Sequence, residues 1–148
     1  MTKLSMLLML TLLIASCQKN EPKAEAVPFS NKAPEGAEVY IISPHDGDVV
    51  DTTFTVRFGL KGMGIAPAGV MLENTGHHHL LIDLDQEPDF TKPLPANDHI
   101  RHFGGGQTET TLTLKPGKHT LQLVMGNYAH VPHDNPVISK KITIEVKK

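Results

Sequence analysis

Apolar and polar residues alternate most regularly over Thr53–Leu60, where Phe54, Val56, Phe58 and Leu60 oppose Thr53, Thr55, Arg57 and Gly59. Period two is the signature of a half-buried strand, because successive side chains leave the pleat on opposite faces. The same pattern recurs in 119–125, through Leu121 and Leu123, and in 137–146, through Ile142, Ile144 and Val146. Residues 38–43 and 108–114 are rich in β-branched residues and read as strands as well. Between these segments stand turn formers: Pro44-His45-Asp46-Gly47-Asp48, a Gly-rich stretch over 61–76, and Lys115-Pro116-Gly117-Lys118. Residues 84–107 are long for a structureless connection, which predicts a functional loop or a short edge strand within them. The remaining segment, Gly76-His77-His78-His79-Leu80-Leu81-Ile82-Asp83, runs three histidines into an apolar triplet. As a strand it puts His78, Leu80 and Ile82 on a core face, and His77, His79, Leu81 and Asp83 on a polar one. His77 and His79 then stand roughly 7 Å apart at Cα, close enough for both rings to reach one metal ion.

Short strands separated by regular turn signals, with no helical period after the N-terminal apolar run, predict an all-β domain over 37–148. The expected architecture is an immunoglobulin-like antiparallel β-sandwich, with an eight-stranded jelly roll or a small barrel as the alternatives. In that topology the connections after 53–60, before 108–114 and after 119–125 lie at one end, and the strands 77–83 and 119–125 are antiparallel neighbours. Histidines distant in sequence are thereby expected to converge.

Composition narrows the class. The chain has 148 residues, a formal net charge of −2, no Trp, two Tyr and no basic run, which disfavours a nucleic-acid partner. The one cysteine, Cys17, rules out an intrachain disulfide and a Cys-based zinc site. Near the N-terminus, Lys3 precedes an apolar run from Leu4 to Ile14, too short to span a bilayer but suited to a signal peptide. The run ends in Leu13-Ile14-Ala15-Ser16-Cys17, which resembles the bacterial lipobox. That resemblance implies removal of residues 1–16 and acylation of Cys17, leaving a mature net charge of about −3. It also implies a membrane partner through the lipid and a cell-envelope location. Gln18 in place of Asp implies the outer membrane, facing the periplasm, in a Gram-negative cell. Residues 17–36, polar and Pro-containing, are expected to form a flexible tether.

A longer resemblance covers nearly all of 38–146. Phe58-Gly59-Leu60-Lys61-Gly62-Met63-Gly64-Ile65-Ala66-Pro67-Ala68-Gly69, the triple-histidine segment, His102-Phe103-Gly104-Gly105-Gly106-Gln107-Thr108-Glu109-Thr110, Pro116–Leu123 and His130-Val131-Pro132-His133 are similar to a bacterial family known as domain of unknown function 4399. The family pattern has Asp where this chain has Asn127. The resemblance implies a secreted or envelope location and brings no established activity.

The chemistry therefore rests on the residues. After Ser30 only Ser43 and Ser139 remain, and neither sits in a nucleophile elbow. Gly104-Gly105-Gly106 lacks the Lys-Ser/Thr pair of a phosphate loop and fits a tight reversal. Asp83 and Asp85 suit a solvated turn better than a glycosidase pair. The nine histidines are the unusual entry in the composition, and imidazoles suit zinc or copper. The predicted site is His77 and His79 with His130 and His133. His99, His102, Met63 and Met125 are possible additions, the methionines because thioethers favour copper. His45 is expected in solvent, His78 in the core on a backbone carbonyl, and His119 near the surface. Three functions fit: an envelope lipoprotein binding copper or zinc; a structural or interaction lipoprotein whose histidines only brace loops; and a metalloenzyme, which would also need an open coordination position and a general base. Of these, the non-enzymatic readings are preferred.

Overall fold

The alternating segments become the framework of two facing sheets. In the computed structural model, which describes residues 28–148, the strands are β1 (Glu38–Ser43), β2 (Val49–Val50), β3 (Thr53–Lys61), β4 (Gly64–Ile65), β5 (Thr75–Ile82), β6 (Ile100–His102), β7 (Glu109–Thr113), β8 (Gly117–Gly126) and β9 (Ile142–Val146). No helix occurs among the described residues. The candidate signal peptide and Cys17 lie outside them.

One sheet has the order β1-β3-β7; the other has β2-β9-β8-β5-β4, with β6 also paired to β5. The longer strands pair antiparallel, as an immunoglobulin-like sandwich requires, and the two-residue β2 and β4 add parallel pairings at the margins. Val39, Val56, Phe58, Leu80, Ile82, Leu112, Leu121, Leu123, Met125, Ile144 and Val146 fill the space between the sheets. Each such side chain contributes about 1.5–3 kcal/mol when fully buried, so the period-two faces are what hold the two layers together.

β5 departs from the expectation of one polar face. His78, Leu80 and Ile82 do face the inter-sheet core, yet His77, His79 and Leu81 are equally buried on the other side. Leu81 lies in a second, smaller apolar layer with Val124, Leu94 and Ile100, with Leu84, Phe90 and Ile138 at its margin, while His77 and His79 lie against the rings of His102 and His130. The long connection after β5 folds over the outer face of its own sheet and contributes the edge strand β6. Asp83 leaves the alternation, because its backbone turns left-handed at φ 53° just past the strand end.

Residues 28–36, expected to belong to the tether, pack against the loop after β8. Asn31 Nδ2 donates to the Pro132 carbonyl at 3.1 Å, Ala33 N donates to Asn135 Oδ1 at 2.9 Å, and the Phe29 ring meets Tyr128 edge-on with centroids 5.1 Å apart. Ala33 is buried.

Candidate metal centre

Two features of the pairing bring the imidazoles together. His77 and His79 occupy alternate positions of β5 and share its outer face. His102 in β6 stands directly opposite His79 in the antiparallel pair, so its ring joins the same face. Ring centroids are 4.8 Å apart for His77–His79, 4.9 Å for His77–His102 and 5.1 Å for His79–His102. Ligand nitrogens of the three lie within 4.8 Å of one another.

Glycines leave the space these rings use. A Cβ at Gly126, across from His77 on β8, would stand 2.7 Å from Cε1 of His79. At Gly104 it would stand 2.3 Å from Cε1 of His102. The Gly104-Gly105-Gly106 run thus turns the chain, with Gly106 at φ 82°, and also leaves room for an imidazole.

His77 and His79 are completely buried, and neither ring nitrogen of either has a hydrogen-bond partner. His102 Nε2 is likewise buried and unpaired. A buried polar atom left without a partner costs about 1–3 kcal/mol, and a bound cation would offset that cost at one nitrogen of each ring. Burial holds the His77 imidazolium down to about pKa 4, with His102, His130 and His78 adding repulsion. Burial likewise brings His79 to about 3, with His77, His102 and His130 adding to it and the His77 backbone opposing in part. His102 is lowered by burial and then by His130. The charges that repel these three rings are all imidazoles. Both buried rings are therefore neutral at pH 7, the state a metal requires.

The other predicted ligands separate. His130 sits against the cluster, its ring centroid 4.6 Å from His102, 5.2 Å from His77 and 6.2 Å from His79. His133 does not join it. Its Cε1 lies 3.2 Å from where a Cβ at Gly76 would stand, which is the face of β5 opposite His77 and His79. His99 turns its Nδ1 to the Ile82 carbonyl at 3.0 Å and orients the loop. Met125 lies opposite His78 and packs in the inter-sheet core, against which Met63 also rests, so both thioethers serve packing. His78 Nδ1 meets the Gln107 carbonyl at 3.2 Å, as the sequence led one to expect. His119 is bound at the far end of β8, between Asp83 and the Lys115 carbonyl. Asn127, where the family pattern has Asp, is buried; its Oδ1 accepts from Ala129 N at 2.8 Å and Val131 N at 3.1 Å, shaping the turn that carries His130.

The family model called Domain of unknown function (DUF4399) matches residues 56–147. The chain belongs to this family. The matched span includes β5, β6 and the loop after β8, so all four clustered imidazoles of this DUF4399 member lie inside it. No curated protein and no solved structure matches the chain.

Proposed function

We propose that this DUF4399 protein is a cell-envelope lipoprotein whose β-sandwich binds one metal ion, zinc or copper, through His77, His79 and His102. The observation that carries the reading is the set of five buried ring nitrogens on these residues with no partner, set among glycines that leave room for the rings. Imidazoles suit borderline ions and suit calcium or magnesium poorly. The bracing alternative has its own support at His78 and His99, where a carbonyl accepts from the ring. It does not extend to His77 and His79, which brace nothing. Anchoring through Cys17 rests on the apolar run and the Ala15-Ser16-Cys17 sequence.

The test is a thermal melt of the full-length chain with increasing zinc or cuprous ion, beside His77→Ala/His79→Ala. An ion held only by the native state stabilises it by about 2.7 kcal/mol at a hundredfold excess over Kd. A rising melting temperature in the wild type alone is the expected outcome. Equal responses in both proteins would remove the metal reading. For the anchor, Cys17→Ser should release the protein from membranes or block its maturation, and unchanged fractionation and mass would refute acylation.

A further inference from the structure

His130 is the one member of the cluster that comes from a loop, and its placement says which ions the site prefers. Its backbone is left-handed at φ 65°, a conformation few non-glycine residues adopt. It is held there from both sides. His130 N donates to the Asn127 carbonyl at 2.9 Å, and its own carbonyl accepts from Leu94 N at 2.9 Å. This turn sets the ring beside the triangle of His77, His79 and His102, nearest His102.

Four rings around one ion have recognisable spacings. With a metal–nitrogen bond of about 2 Å, each ring centroid stands about 3.2 Å from the ion. A tetrahedral arrangement then separates all six pairs of centroids by about 5.2 Å. A square-planar one gives four short pairs of about 4.5 Å and two long diagonals of about 6.4 Å. The observed separations are 4.6, 4.8, 4.9, 5.1, 5.2 and 6.2 Å. Five fall between 4.6 and 5.2 Å, at or somewhat below the tetrahedral value. The long one, His79–His130, would need His77–His102 as its matching diagonal, and that pair is 4.9 Å apart. The rings therefore surround a point and do not lie around a plane.

We infer that His130 completes a four-imidazole tetrahedral site, which prefers a closed-shell ion, Zn(II) or Cu(I), over tetragonal Cu(II). This rests on the metal-binding reading above and goes beyond it in naming the fourth ligand and the coordination geometry. All four donors are of one type, so discrimination comes from shape. In an unconstrained nitrogen site Cu(II) would outcompete Zn(II). Here β5 fixes two rings, and the β5–β6 pairing sets the third on the same face. Bonded nitrogens of a tetrahedral ion stand about 3.3 Å apart; those of His77, His79 and His102 lie within 4.8 Å of one another and His130 is outside that group, so the rings turn their nitrogens inward on binding, His130 most of all. His102 and His130, the two half-buried members, have the freedom to do so.

The test uses the full-length chain in detergent, loaded separately with Co(II), Zn(II), Cu(II) and, under anaerobic reducing conditions, Cu(I). Co(II) should give the intense visible bands of a tetrahedral ion, and X-ray absorption of the zinc form should show four imidazole nitrogens. His130→Asn keeps a residue tolerant of the left-handed backbone. It should weaken zinc by more than the roughly 10- to 100-fold that loss of an outer-shell partner costs, with the metal-free melting temperature little changed. Competition between Zn(II) and Cu(I) then decides which closed-shell ion is held. If Co(II) binds with weak, octahedral-type bands, or Cu(II) binds most tightly with a tetragonal paramagnetic resonance spectrum, the tetrahedral inference is overturned while the site stands. If His130→Asn binds zinc as well as the wild type, His130 is not a ligand. If no ion binds, the earlier reading fails and this one with it.

Discussion

The histidines at the two ends of β8 live under opposite conditions. At its start, His119 is satisfied on both sides: Nδ1 lies 2.6 Å from Asp83 Oδ2, and Nε2 lies 2.8 Å from the Lys115 carbonyl. Both partners are acceptors, so the two contacts together favour the doubly protonated ring. Burial alone would lower its pKa, but Asp83, the Lys115 carbonyl and Glu145 outweigh that and raise it. At the other end, His77 faces Gly126 and has no partner on either nitrogen, and the same holds for His79. One corner has exhausted the hydrogen-bonding capacity of its histidine in holding the fold. The other keeps that capacity free in a place where water is excluded. The difference separates a bracing histidine from a ligand more sharply than burial does, since His78 is as buried as His77 and yet bonds a carbonyl.

The strongest way to break this contrast is to fill the space beside the free rings. Gly126→Ala puts a methyl 2.7 Å from His79 Cε1 and 3.1 Å from its Nδ1. Gly126→Ala is expected to cost about 1–3 kcal/mol through overpacking and to weaken zinc binding about 10- to 100-fold. Chemical denaturation and zinc titration of the same protein check both. Zinc affinity equal to that of the wild type would show that the ring positions do not matter.

Next in size is a change of sign. His79→Leu replaces two unpaired buried nitrogens by an apolar side chain, so the metal-free protein should gain about 1–3 kcal/mol. The same variant should lose the stabilisation that zinc gives the wild type. A destabilised metal-free His79→Leu protein would mean that His79 contributes to the fold as it stands.

Acid and base should act on the two ends in opposite directions. His77 and His79 have folded values of about 4 and about 3 against an ordinary 6.5. Their neutral burial is therefore fully tolerated above pH 6.5, and metal-free stability falls as the pH drops below 6.5 toward those values, because the unfolded chain takes up protons first. His119 has a raised folded value, so its contribution is complete below 6.5 and is lost as the pH rises through that value. Urea unfolding between pH 4 and 9, followed by circular dichroism, should show the acid slope reduced in His77→Leu/His79→Leu and the alkaline loss reduced in His119→Gln. The smallest effect is expected from His119→Gln near neutral pH. It should cost about 1 kcal/mol, since Asp83 is partly in solvent, and leave zinc affinity unchanged.

Much of this was legible in the chain. The alternation of Phe54, Val56 and Phe58, of Leu121 and Leu123, and of Ile142, Ile144 and Val146 gave the inward faces of three strands, because one side of each packs on the opposite sheet. It also gave the pairing of His77 with His79, which depends only on strand parity. What escaped was the outer face. Leu94 and Ile100 have no period that reveals them as a cover for Leu81, and only β6 pairing puts His102 across from His79. His130 and His133, three residues apart, read as a pair in the sequence. A left-handed His130 and the bridge of Pro132 to Gly126 send them to opposite sides of the sheet, and no local residue pattern encodes that parity.

The central claim is that the clustered histidines whose ring nitrogens lack partners are ligands, and that His119, bonded at both nitrogens, is a brace. Its most direct measurement is zinc bound per chain, by calorimetric titration and elemental analysis, for the full-length wild type, His77→Ala/His79→Ala and His119→Ala. The expected result is one ion per chain in the wild type and in His119→Ala, and none held tightly in the double variant. Equal binding, or none, in the wild type and the double variant would contradict the claim.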